Sequence, residues 1–125
     1  MNDREAVDRK FSREISSGTT SLALLAILSQ AEEPMYGYRI AKEMSGNADG
    51  FQLIKQGALY PVLKSLEKNE LLESIVEPSV SGPPRRYYKI TQEGRESLIR
   101  WEKLWESTCN LINGILGGKS DEQSH

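Results

Sequence analysis

Leu59, Val62, Leu63 and Leu66 stand at the i, i+3, i+4 and i+7 positions of one helical face, and two β-prone runs follow almost at once. A helix from Gly57 to Lys68 must be covered along that stripe. Because it leads directly into the arms Leu72–Glu77 and Arg86–Ile90, the chain is constrained to a helix packed on a small hairpin. Residues 78–84, Pro-Ser-Val-Ser-Gly-Pro-Pro, are expected to form an extended tip between the arms. The opposite helical face carries Gly57, Tyr60, Pro61, Lys64 and Lys68. Pro61 lacks an N–H and crowds the carbonyl four residues back; that residue is Gly57, at the helix mouth, where the cost is small.

Upstream, Val7, Phe11 and Ile15 fall four apart among charged residues, which predicts an amphipathic helix over 3–16. Ser16-Ser-Gly-Thr-Thr20 is expected to interrupt it, with Thr19 or Thr20 capping a buried helix through Leu22, Leu25, Ile27 and Leu28. Tyr36, Ile40, Ala41 and Met44 share a face on the first helix of a helix-turn-helix, stopped at Ser45-Gly46. Phe51-Gln-Leu53 alternates like a very short strand.

Thr91 is placed to cap a last helix, with Glu93 in its first turn; Gly94 occupies the position where a capping box has glutamate. Along that helix Leu98, Trp101, Trp105, Thr108, Ile112 and Ile115 step by 3, 4, 3, 4 and 3, a heptad seam widened by Leu104 and Leu111. Such a seam requires a partner helix. The expected fold is mainly α with a small β hairpin (α+β), a winged helix-turn-helix flanked by N- and C-terminal dimerisation helices. The expected divisions are 1–18, an N-terminal dimer-associated helix; 19–91, the winged helix-turn-helix head; 92–116, a C-terminal dimerisation helix; and 117–125, an apolar-free tail expected to be disordered.

Composition sets aside several classes. At 125 residues one domain is expected. The longest apolar run, Leu22 to Leu28, is far short of the roughly 20 residues a membrane span needs, and the charged start resembles no signal peptide. A lone Cys109 fits a reducing cytoplasm. His125 is the single histidine, and neither a Gly-rich phosphate loop nor a metal-spaced cluster occurs, so no enzyme, cofactor or metal is expected. The net charge of -2 weighs against nucleic acid, but Arg85, Arg86 and Lys89 lie together in 82–90 with no acid among them. A helix followed by a basic hairpin is how a winged helix grips duplex DNA.

Tyr36-Gly-Tyr38, Gly57-Ala-Leu-Tyr-Pro-Val-Leu-Lys-Ser-Leu-Glu67, Gly82-Pro-Pro-Arg-Arg-Tyr-Tyr88 and Thr91-Gln-Glu-Gly94 resemble, in order and spacing, the PadR family of transcriptional regulators, and the short ending resembles its compact subfamily with a single C-terminal helix. The resemblance implies a homodimer whose terminal helices interlock, with Val7, Phe11 and Ile15 joining the C-terminal seam at the interface, and whose two heads read a pseudo-palindromic operator. It also implies a repressor released by a small aromatic or cationic effector held between tryptophans, here Trp101 and Trp105. Two residues depart from the pattern: Lys55 stands where a small hydroxylated residue is common, and Ala58 where threonine is.

On this reading Gln56, Ala58, Tyr60 and Pro61 meet base edges or the groove wall, and Lys55 and Lys64 meet phosphates, with Gly57 and Tyr38 beside them. Arg85 and Arg86 are presented by a tip stiffened by Pro83 and Pro84. Tyr87 and Tyr88 alternate across the strand, one in the core and the other half-exposed. The competing assignment is a winged helix used for protein–protein contact, which would show a flat salt response.

Overall fold

The computed structural model describes residues 3–45 and 56–117. In chain order the elements are α1 (Asp3–Gln30), β1 (Met35–Tyr36), α2 (Gly37–Ser45), α3 (Gln56–Lys68), β2 (Leu72–Ser79), β3 (Gly82–Ile90) and α4 (Gln92–Leu116). The fold is mainly helical with a small antiparallel sheet, as the sequence implies, but the sheet has three strands in the order β1-β3-β2. The added strand is β1, two residues long, which pairs Met35 with Tyr88 and Tyr36 with Tyr87. Two residues carry no periodicity, so nothing in the pattern announces it.

The expected break at Ser16–Thr20 does not occur. α1 runs through it as one 28-residue helix, and neither Thr19 nor Thr20 is an N-cap. Ser16 Oγ donates to the Ser12 carbonyl at 2.8 Å and Thr19 Oγ1 to that of Ile15 at 2.7 Å. Bonded to the turn below, these hydroxyls do not compete for the backbone, which is how Ser and Thr persist inside helices. Gly18 costs about 1 kcal/mol relative to alanine, less than burying Leu24, Leu25 and Leu28 on the same helix contributes.

The core lies where α1, α2, α3 and the sheet meet. Leu24, Leu25, Ile40, Leu59, Leu63 and Leu72 are almost wholly enclosed, joined by Leu28, Leu66, Tyr88 and Ile90. The predicted inward stripe of α3 is the buried one, with Val62 half-buried at its border. Pro61 lies inside α3, and the helix continues past it. α3 ends in a Schellman turn: Leu71 N donates to the Leu66 carbonyl and Glu70 N to that of Glu67, both at 2.9 Å. Glu70 supplies the left-handed residue this turn needs, at φ 65°.

The hairpin differs from expectation at its tip. Ser79 pairs with Gly82, so the tip is only Val80-Ser81, and the predicted seven-residue connection is mostly strand. Pro78 is tolerated because it lies on the edge strand β2, at a register irregularity between Glu77 and Ser79. Pro83 and Pro84 would direct their missing N–H groups to opposite edges of β3: one edge has no neighbour there among the described residues, since β1 reaches only Tyr87 and Tyr88, and on the other the ladder is interrupted by the irregularity at Pro78.

Thr91 caps α4 as read from the sequence: the Gly94 N–H donates to its Oγ1 at 2.9 Å, while the hydroxyl donates to the Glu70 carbonyl at 2.7 Å. Glycine at 94 has a packing cause, since a Cβ there would run into the Leu71 carbonyl and the Ile90 side chain. The expected strand at Phe51–Leu53, the turn after Ser45, Lys55 and the tail from 118 onward lie outside the described residues. Among the described residues no helix is long and apolar enough to cross a membrane.

Candidate nucleic-acid interface

Burying Leu59, Leu63 and Leu66 forces the other side of α3 outward. Tyr60, Pro61, Lys64 and Lys68 are exposed there, Tyr60 at 51%. Gln56, Gly57 and Ala58 form the helix's opening turn. Tyr60 is not free-standing: its ring lies on the first residue of α2, so closely that a Cβ on Gly37 would stand 2.5 Å from the Tyr60 hydroxyl oxygen. The glycine of Tyr36-Gly-Tyr38 therefore makes room for the tyrosine of α3, a dependence the separate motifs did not reveal.

Alternation along β3 sends its two arginines to opposite faces of the sheet. Arg86 shares a face with the buried Tyr88 and Ile90, and its Nη1 donates to Ser74 Oγ at 2.9 Å; Ser74 Oγ in turn donates to Glu67 Oε2 at 2.6 Å. That chain ties the hairpin to the last turn of α3. Arg85 points to the other face, where its guanidinium lies over the Tyr36 ring, 4.6 Å from the centroid. The Tyr36 ring is stacked on Tyr38 at 6.4 Å and tilted against Tyr87 at 5.5 Å. Tyr88 is thus the core tyrosine and Tyr87 the half-exposed one. Burial pushes the Tyr88 hydroxyl above its ordinary pKa, with Arg86 opposing and Glu67 and Tyr60 adding to the rise.

Charge sorts the same surface. Lys89, grouped with the wing arginines in the sequence, pairs across the strands with Glu73 at 3.6 Å. Among the described residues, Arg39 and Lys42 of α2, Lys64 and Lys68 of α3, and Arg85 form no ion pair with a carboxylate. A mildly acidic chain thus carries a run of unneutralised cations along α2, α3 and the hairpin. Lys42 was not singled out from sequence; it follows Tyr38 by one turn, and that spacing was the available signal.

The tryptophans lie at the other end. Trp101 is half-buried against the core, and Trp105 is 44% exposed on an open groove of about 530 Å³ between α1 and α4, lined also by Ile15, Leu22 and Leu104. Of the expected dimer residues, Val7, Phe11, Ile15, Trp105, Thr108, Ile112 and Ile115 are exposed, whereas Leu98 packs against this chain's own core with Trp101. Cys109 is a half-buried free thiol. Among the described residues no group of three or more His, Cys, Asp or Glu side chains is placed to hold a metal.

This architecture has counterparts among known proteins. Residues 24–100 match the model of the transcriptional regulator PadR-like family. A transcriptional regulator of Mycobacterium tuberculosis is 33% identical over 90 residues, covering 72% of this chain and 78% of that protein. The crystal structure of a PadR-like transcriptional regulator from Bacillus cereus superposes with a TM-score of 0.67 at 31% identity, covering 82% of this chain and 96% of the other. That of a PadR family transcriptional regulator from Eggerthella lenta gives 0.70 at 31% identity, covering 91% and 96%.

Proposed function

Because this chain belongs to the PadR-like family of transcriptional regulators, we propose that it is a homodimeric repressor that reads a pseudo-palindromic operator in the cytoplasm and releases it on binding a small aromatic or cationic effector. It is a DNA-binding regulator and not an enzyme. The observation that carries the finer reading is the outward face of α3, where Tyr60, Pro61 and Lys64 project beside cations that form no ion pair with a carboxylate among the described residues. In this reading the opening turn of α3, from Gln56 through Ala58, enters the major groove. Tyr60 and Pro61 meet base edges or the groove wall, and Lys64, with Lys55 outside the described residues, meets phosphates. Tyr38, Arg85 and Arg86 flank the helix.

Residues 19–91 are the head, and 1–18 with 92–116 the dimer arms, α1 crossing the division without a break. Two heads on one duplex face require about 34 Å between their α3 helices, so the crossing of the arms sets the register. An effector seated by Trp101 and Trp105 weakens binding only if it prefers a mis-registered crossing. Family membership favours duplex DNA over the protein-contact alternative.

Selection of bound fragments from the organism's own DNA, with and without aromatic and cationic compounds, tests this. The expected result is enrichment of paired half-sites about 10 base pairs apart, centre to centre, with enrichment lost when one compound is present. Fragments no richer in any sequence than the input would reject a sequence-specific reader.

A further inference from the structure

We infer that Tyr36 is a positioning residue that holds Arg85 for contact with a backbone phosphate of duplex DNA, and that Arg85, not Arg86, is the wing's phosphate-binding cation. The inference rests on the proposed DNA reading and divides labour between two adjacent arginines that the sequence cannot tell apart.

The division follows from what each guanidinium touches. Arg86 donates to Ser74, which donates to the Glu67 carboxylate. Its charge lies close to an anion, and one of its donors is already engaged. Moving it to a phosphate would give up its bond to Ser74 and its place near the Glu67 carboxylate, while the Ser74–Glu67 bond that fastens the hairpin to α3 would remain. Arg85 forms no ion pair with a carboxylate among the described residues, its cross-strand neighbour Glu77 included, and lies over an uncharged ring. Stacking over a ring face leaves the in-plane N–H donors at the guanidinium edge available, and those donors form the fork that grips phosphate oxygens.

The ring itself is fixed. Tyr36 belongs to β1, paired with Tyr87 in the sheet, and lies between Tyr87 at 5.5 Å and Tyr38 at 6.4 Å. Arg85 is thereby pre-placed and loses less side-chain freedom on binding than an unsupported arginine would. Tyr38 and Lys42, one turn apart on α2 and both exposed, extend this shelf away from the hairpin. The shelf spans the sheet and the start of α2, beside the Gly37 backbone on which Tyr60 rests. A phosphate bound there lies next to the groove that α3 enters.

The test is binding of the full-length protein to a fluorescein-labelled 30-base-pair duplex of random sequence, measured by anisotropy across a range of NaCl concentrations; a phosphate contact needs no operator. Arg85→Ala should weaken binding about tenfold and flatten the slope of log K on log salt by about 0.9 for each head, whereas Arg86→Ala should leave the slope unchanged. Tyr36→Phe should bind like the wild type, since the ring remains. Tyr36→Leu should lose about two- to fivefold in the wild-type background and nothing further alongside Arg85→Ala. Thermal unfolding of each variant separates loss of folding from loss of contact. Additive losses for Tyr36→Leu and Arg85→Ala, or a slope moved by Arg86→Ala and not by Arg85→Ala, would overturn the inference while leaving the DNA reading intact. A wild-type protein with no salt-dependent affinity for the duplex would remove both.

Discussion

The head and the arms of this molecule are built from the same apolar residues at the same helical spacings, yet they bury them differently. In the head Leu24, Leu25, Ile40, Leu59 and Leu63 are at most 1% exposed. Along the arms Val7 is 64% exposed, Phe11 62%, Ile112 46% and Ile115 69%. The first part of α1, up to Ile15, and α4 beyond Trp101 contain no buried residue. A closed core accounts for the head. Contiguous apolar faces of this size on an isolated chain mark surfaces that another chain covers. Periodicity thus identifies a face to be buried but not what buries it.

The most severe way to break this comparison is Ile112→Asp. If a second copy covers the arms, an unpaired carboxylate at the seam costs the dimer about 3–5 kcal/mol, and sedimentation velocity should show monomers whose heads still give a folded circular-dichroism spectrum. Unfolding of the head would mean the arms are part of its core. Leu63→Ala is the converse: truncation in a filled core should destabilise the chain by about 2–5 kcal/mol, read from chemical denaturation, with any surviving folded protein still associating.

A smaller effect sharpens the comparison inside the head. Gly37→Ala places a Cβ against the Tyr60 hydroxyl, whose ring tip can swing into solvent. Thermal stability should change by under about 0.5 kcal/mol, while affinity for a selected operator should fall by about 1 kcal/mol. An equal fall in both would show that the contact serves packing alone. The smallest change is Glu70→Gly, which relieves a left-handed residue at φ 65° and should raise stability by about 0.5–1 kcal/mol with no effect on DNA affinity.

Much of the head was legible in the sequence because its cues are local. The stripe Leu59-Leu63-Leu66, the cap at Thr91 and the β-prone arms each lie within one or two turns, and each is found in the structure. What was missed depended on distant partners. Ser16–Thr20 reads as a break until the Ser16 and Thr19 hydroxyls are seen bonded to the preceding turn and Thr20 is seen buried. β1 exists only because β3 is there to pair with it. The prolines that suggested a long tip are accommodated by an irregularity and a missing neighbour strand. In the candidate interface the outward face of α3 was readable from the stripe opposite. The divergence of Arg85 and Arg86 was implicit in strand alternation, but their partners Tyr36, Ser74 and Glu67 come from other elements.

On the proposed function, the exposed arms join two heads into one reader of duplex DNA. Sedimentation equilibrium of the full-length protein with a duplex carrying one selected site tests it most directly. A single complex of two chains per duplex is expected at saturation. One chain bound per duplex with undiminished affinity would contradict it.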